Sequence, residues 1–348
     1  MGVNKNPNYS AKDTLSVKRE NEIFLSYSEH DNTRMETVEN IIKSHFGCCP
    51  DEIRKIENET NNSVYPFTVA GEQCFLKLYR SKDWPEEGKI PFVYRSLSQK
   101  GIHHAKLIAY CRENAASSNG YLIEHGIPGV AADKMQLDRE QEIMLYVKLA
   151  GLVSSVHEVR IENYGYIGNG IANYDSMTDF FEDEFDGFND KLKDIVSETQ
   201  LKKLRVKVLN VMRDFENLPS VLCHGDLSKK NVIVRDGKAL SKGNDVMQSS
   251  EEITLIDWDD AMALNWMADI SRLTLWMKQS YHEQEYELFR NVFLKHYRTS
   301  YRKDEFDVFE NAYHVYSALD SLIFFVRVGN TEMESRLKRY LEGKANED

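Results

Sequence analysis

The chain has 348 residues, 41% hydrophobic and 29% charged, which is apolar material for two packed lobes at about 100 to 200 residues each. Its 44 Lys and Arg against 56 Asp and Glu leave a formal charge of −12, which argues against a nucleic-acid partner, and no apolar run approaches the roughly 18 residues of a membrane span. Five cysteines without C-x-x-C spacing point to free, mostly buried thiols and a cytoplasmic location.

Residues 1–34 are polar, carry no sustained period and no signal-like apolar segment, and read as an extension ahead of the folded body. From Met35, the spacing of Val38, Ile41, Ile42 and Phe46 predicts a helix stopped by Gly47. Residues 53–80 read as strands, with runs at 64–69 and 73–79 joined by the turn Ala70-Gly71 into an antiparallel hairpin. A helix follows over 88–100, with Pro91 in its first turn, then strands at 104–111 and 120–124 across a polar turn at 113–119.

Beyond Ile127-Pro128-Gly129 the texture is mainly helical. Asp138 with Gln141, and Ser197 with Gln200, form capping boxes that open two helices; the second places Leu201, Leu204, Val208, Val211 and Phe215 on one face. The helical regime is interrupted once, at 220–260. There the triplets 232–234 and 254–256 read as the arms of a hairpin whose enlarged tip is the polar stretch 236–252. Aromatic-rich helices from about Trp266 close the chain.

That hairpin carries the chemistry. Its first arm holds His224-Gly225-Asp226-Leu227-Ser228-Lys229-Lys230-Asn231, a carboxylate and an amide five residues apart; its second arm ends in Ile256-Asp257-Trp258-Asp259-Asp260. Phosphoryl transfer from a nucleotide needs a group that orients or deprotonates the accepting hydroxyl, and oxygen ligands for Mg²⁺ on the phosphates. Asp226 suits the first task and Asn231 with Asp257 the second, and the hairpin would bring all three to its base. An isolated acid of this kind usually just caps a turn; convergence on one hairpin favours the chemical reading.

These residues resemble the aminoglycoside phosphotransferase and choline kinase superfamily, with its H-G-D-x-x-x-x-N loop whole and its metal motif present as Ile256-Asp257-Trp258-Asp259. The resemblance runs from about residue 48 to 275. It implies an α+β, bilobal protein-kinase-like fold, with a small antiparallel-sheet nucleotide-binding lobe at 35–124 and a larger helical lobe at 125–348 holding the catalytic loop and the acceptor site. It also implies Asp226 as catalytic base, Asn231 and Asp257 as Mg²⁺ ligands, and ATP or GTP as cosubstrate. Ser228 stands where protein kinases carry a lysine two residues after the aspartate.

In the small lobe the same resemblance makes Lys77 the ligand of the α- and β-phosphates. It places Asn62 and Ser63 in the phosphate-covering turn at 60–63, which contains no glycine. The helix acid expected to pair with Lys77 is displaced, because Ile90 occupies its usual position; Glu87 is the candidate and Glu86 the alternative. Glu124 and Gly126 fall in the hinge whose backbone groups would meet the nucleotide base. His157 and Asp269 match positions with structural duties.

Between Ile161 and Asp190 there is no Lys or Arg but there are eight carboxylates, interleaved with Tyr174, Phe180, Phe181, Phe185 and Phe188. Carboxylates and aromatic faces attract ammonium groups, so Asp179 and Glu182, with Asp259 and Asp260, are candidates to face an amino-bearing hydroxyl acceptor such as an aminoglycoside, an activity that would confer antibiotic resistance. A solvated acidic face is the ordinary reading of such a run. A choline, ethanolamine, sugar or homoserine kinase, and a non-catalytic kinase-like binding module, are the alternatives.

Overall fold

The computed structural model describes residues 35–56, 62–112, 117–235, 240, 252–298 and 302–347. The 1–34 extension, Thr60 and Asn61 of the polar turn, and most of the 236–252 hairpin tip lie outside the described residues.

The small lobe opens with helix α1, Met35–Phe46, and builds one antiparallel sheet from β1 (Glu52–Ile53), β2 (Ser63–Val69), β3 (Glu72–Leu78), β4 (Leu107–Cys111) and β5 (Tyr121–His125) in the order β1-β2-β3-β5-β4. Ala70 and Gly71 both adopt positive φ, which matches the right-handed strand twist in a two-residue hairpin turn. Strand alternation then sorts the side chains. Cys74, Leu76 and Leu78 pack with Val38, Ile41 and Ile42 of α1 in a core of their own. Lys77, opposite Val64 and Leu122 in the register, takes the other face. On that side lies helix α2, Lys89–Gln99, whose Ile90, Val93, Tyr94 and Leu97 join the core of the large lobe.

The large lobe begins at β6 (Val130–Ala131) and its long helix α3, Arg139–Val156, starts at the Asp138/Gln141 capping box. Helices α4 (Met177–Leu192) and α5 (Glu198–Asp214, capped by Ser197 and Gln200) lead to β9 (Val221–Cys223). The hairpin arms are β10 (Val232–Val234) and β11 (Ile253–Leu255), antiparallel with Val232 opposite Leu255. Helices α6 (Trp266–Ser280), α7 (Glu283–His296), α8 (Lys303–Arg327) and α9 (Thr331–Asn346) complete it. The architecture is thus two-lobed α+β.

One interruption of the helical regime was not anticipated. β7 (Tyr164–Gly168) and β8 (Ile171–Tyr174) form a second hairpin, paired through β12 (Met262–Leu264) to β9. Its turn is Asn169-Gly170, both at positive φ, the dipeptide this turn prefers; the strands are too short and too mixed in polarity to declare themselves.

Candidate active site

The loop after β9 is held from behind. Asp269 of α6 accepts hydrogen bonds from the backbone N–H groups of His224 at 2.9 Å and Gly225 at 3.0 Å, and pairs with His157 Nε2 at 3.1 Å. Burial pushes the Asp269 carboxyl up, but the hydrogen bond and charge of His157 outweigh it and hold the group below the usual carboxylate range. His224 Nε2 donates to the Ile256 carbonyl at 2.9 Å, and its ring lies 4.6 Å from that of Trp258, which ties the loop to the second arm. At Gly225, φ is +80° and a Cβ would stand 1.9 Å from the Asp260 carbonyl oxygen. Gly225→Ala is therefore expected to lower stability by at least about 2 kcal/mol, read by denaturant unfolding.

This frame brings the sequence-selected groups together. Asn231 Nδ2 donates to the Asp226 carbonyl at 2.9 Å and to Asp226 Oδ2 at 3.0 Å. The Ile256 N–H donates to the Asn231 carbonyl at 3.0 Å, setting Asp257 beside it at φ +63°. From the small lobe, Lys77 Nζ crosses the cleft to Asp257 Oδ1 at 2.7 Å and Asp259 Oδ2 at 2.9 Å. Burial would lower the Lys77 pKa, but Asp257 and then Asp259 overcome it and raise it well above its ordinary value. Enclosure in the cleft pushes the Asp257 carboxyl up; Lys77 reverses this and holds it low.

Several expected partners fall elsewhere. Glu87 does not pair with Lys77: it is exposed, and its backbone carbonyl accepts from the Asn169 N–H at 2.7 Å. Glu86 is buried against Lys89 Nζ at 2.5 Å. The counter-charge to Lys77 comes instead from Asp257 and Asp259, because α2 contains no acid at all. Asp259 accordingly is not turned toward an acceptor; it is buried, and Asn62 Nδ2 also donates to its Oδ2 at 3.0 Å. Ser63 is buried at the start of β2, opposite Leu78. The Gly126 N–H is not open to a base, since it donates to the Gln73 carbonyl at 2.8 Å. Glu124 projects its carboxylate toward α2, where Tyr94 Oη donates to it at 2.5 Å. Lys89 was missed: it is 0% exposed, its Nζ donates to the Asp259 carbonyl at 3.0 Å and lies 4.2 Å from the Trp84 ring centroid. A lysine in the first turn of an amphipathic helix defaults to a solvent reading, so nothing in the sequence flagged it.

The donor set fits a magnesium ion. Asn231 Nδ2 is engaged with Asp226, and its Oδ1 accepts no hydrogen bond among the described residues; the Asp257 side chain is 46% exposed to the cleft; and Asp259 Oδ1 is buried without a hydrogen-bond partner among the described residues. Oxygen donors of this kind suit a hard cation. His157, Cys223 and Asp269 also cluster within 4.8 Å, but those groups are occupied: His157 and the loop amides fill Asp269, and Cys223 Sγ donates to the carbonyls of Leu264 and Asn265, its thiol pushed well up by burial.

On the acceptor side the structure selects different acids from the sequence. Asp179 is exposed near the start of α4, and Glu182 pairs with Arg213 of α5 at 3.0 Å, on the outward side of α4. Glu184 points inward, taking hydrogen bonds from Tyr166 Oη at 2.9 Å and Tyr316 Oη at 2.8 Å; burial, only partly offset by these donors, pushes it up to about 7. Its signal was present, since it stands four residues from both Phe180 and Phe188 in the apolar stripe of α4. Asp260 is raised to about 7 by burial and then by Asp226 and Asp257, and Arg272 of α6, 3.5 Å from Asp320, feels both Asp226 and Asp260.

Residues 52–306 match the model of the phosphotransferase enzyme family, APH. No curated protein matches the chain. Among solved structures, the aminoglycoside phosphotransferase APH(4)-Ia superposes with a TM-score of 0.68 at 16% identity, covering 90% of this chain and 100% of that one. The GDP and kanamycin complex of APH(2")-IIia gives 0.62 at 14%, covering 90% and 100%, and the amicoumacin kinase hAmiN, in complex with AMP-PNP and Ca²⁺, gives 0.63 at 17%, covering 93% and 96%. At these identities the likeness is one of fold, and it matches the two-lobed protein-kinase-like architecture described above.

Proposed function

Because this chain belongs to the phosphotransferase enzyme family, whose model matches its residues 52–306, we propose that it transfers the γ-phosphoryl group of ATP or GTP to a hydroxyl of a small, amino-bearing acceptor such as an aminoglycoside. The observation that carries this reading is the meeting of Asp226, Asn231, Asp257 and Lys77 in one cleft between the lobes. Asp226 accepts the acceptor's hydroxyl proton and aims its oxygen at the γ-phosphorus. Lys77, freed from Asp257 on nucleotide binding, donates to the phosphates, while Asp259 and Asn62 keep it in place. Asn231 and Asp257 would hold magnesium, which when bound neutralises charge on the phosphate oxygens. The nucleotide class is supported by the AMP-PNP and GDP named in the complexes of the structural neighbours, and the acceptor class by their hygromycin B and kanamycin.

An amino group on the acceptor would answer the acids Asp257 and Asp260 near Asp226 and, through Arg272, Asp320 with Glu184 near it. A panel of aminoglycosides, choline, ethanolamine, homoserine and sugars, assayed by mass gain with each nucleotide, tests it. A phosphorylated aminoglycoside is the expected product; phosphorylation of choline or a sugar alone would move the acceptor class. The charge of Glu184 also gives a pH signature. Its carboxyl is protonated below about 7 and charged above, so acceptor KM is expected to fall as pH rises from about 6 to 8, and Glu184→Gln to flatten that change.

A further inference from the structure

The loop after Asp226 lacks a cation two residues on, yet three consecutive residues, Ser228, Lys229 and Lys230, border the same cavity of about 200 Å³ beside it. Their fates differ. Ser228 is buried and its Oγ has no hydrogen-bond partner among the described residues. Lys229 is turned into the large lobe, where its Nζ donates to Glu142 Oε1 at 2.5 Å and Tyr281 Oη at 3.3 Å. Lys230 turns back through the short helical turn Lys229–Asn231 and places its Nζ 2.8 Å from Asp226 Oδ2, the oxygen that also accepts from Asn231. Its side chain is 56% exposed, so the ammonium is not packed in place and can shift from Asp226 toward a charge in the cleft.

We infer that Lys230 is a catalytic residue, supplying from four residues beyond Asp226 the cation that contacts the transferring phosphoryl group. The inference rests on the phosphotransferase reading of the cleft. In the step concerned, the acceptor oxygen forms a bond to the γ-phosphorus as the bond from that phosphorus to the β,γ-bridging oxygen breaks. The electron pair of the broken bond leaves with the nucleoside diphosphate, and the hydroxyl proton passes to Asp226. Negative charge sits on the equatorial oxygens of the γ-phosphoryl throughout. A cation anchored beside the hydroxyl's proton acceptor meets those oxygens only as they approach the acceptor, so its contribution grows toward the transition state rather than in the bound nucleotide.

The test is single-turnover transfer from Mg²⁺–ATP to the acceptor found by the panel, or to water where none is found, in the full chain. Lys230→Met is expected to slow transfer by about 10²- to 10³-fold while nucleotide affinity stays within about twofold, and Lys230→Arg to recover at least about tenfold of the loss. Lys230→Gln, which keeps a donor without the charge, should resemble Lys230→Met, and a thermal melt of each variant checks folding. A Lys230→Met rate within about threefold of the parent overturns the inference, as does an equal loss of nucleotide binding or failure of Lys230→Arg to recover anything. If the parent chain itself neither binds Mg²⁺–ATP nor transfers phosphate, the phosphotransferase reading falls and this inference with it; an active parent beside an undiminished Lys230→Met removes this inference alone.

Discussion

Asp226→Asn is expected to slow phosphoryl transfer by about 10²- to 10⁴-fold, the range over which a positioned proton acceptor acts. The substitution keeps shape and volume, and the loop is held by Asp269, His157 and His224 rather than by the Asp226 carboxylate. Nucleotide affinity should therefore stay close to that of the parent, and the loss should fall in kcat rather than in the KM for nucleotide. An amide at this position cannot take a hydroxyl proton, and it no longer offers a charged partner to Lys230 Nζ, now 2.8 Å from Oδ2. Steady-state kinetics on the acceptor identified by the panel read the effect, and turnover equal to the parent's would remove Asp226 from the proposed mechanism.

Asp257→Asn should act on the other side of the cleft. Asn is the informative replacement because residue 257 sits at φ +63°, a left-handed conformation that Asn adopts at lower cost than Ala. Removing the charge takes away an anionic oxygen from the magnesium donor set and weakens the 2.7 Å contact with Lys77, which keeps Asp259. Losing one member of a hydrogen-bonded charge pair costs about 2–5 kcal/mol, so Mg²⁺–nucleotide affinity is expected to fall by about 30-fold or more. A fluorescent nucleotide titration measures it. Binding without magnesium should change little, and that contrast separates a lost ligand from a collapsed cleft.

How far each feature could be read from the sequence depended on how local its cause is. The two capping boxes, the Ala70-Gly71 hairpin and the alternation that sets Lys77 opposite Leu76 and Leu78 are decided within a few residues, and each forms as read. The pairing of β10 with β11 follows from apolar triplets on either side of a polar tip. By contrast, the partner of Lys77 is set by which carboxylates the two lobes bring across the cleft. With no acid on α2, the nearest acid in sequence is Glu87, whereas Asp259 of the other lobe holds the position. Lys89 is buried because Glu86, Trp84 and a backbone carbonyl from the other lobe surround it, a set of neighbours that no window of sequence contains. Glu184 lies between these cases. It interrupts an apolar helical stripe, which marks an inward-facing acid, but the run of eight carboxylates around it drew attention to Asp179 and Glu182 on the outward side.

Titration calorimetry of the full chain with ATP and GTP, with magnesium and then with excess EDTA, asks whether the cleft between Lys77, Asn231 and Asp257 is a magnesium–nucleotide site. A saturable heat for at least one nucleotide that requires magnesium and is lost in Asp257→Asn is the expected result. The absence of any heat with either nucleotide in the presence of magnesium, or a heat indifferent to both EDTA and the Asp257 substitution, would contradict it.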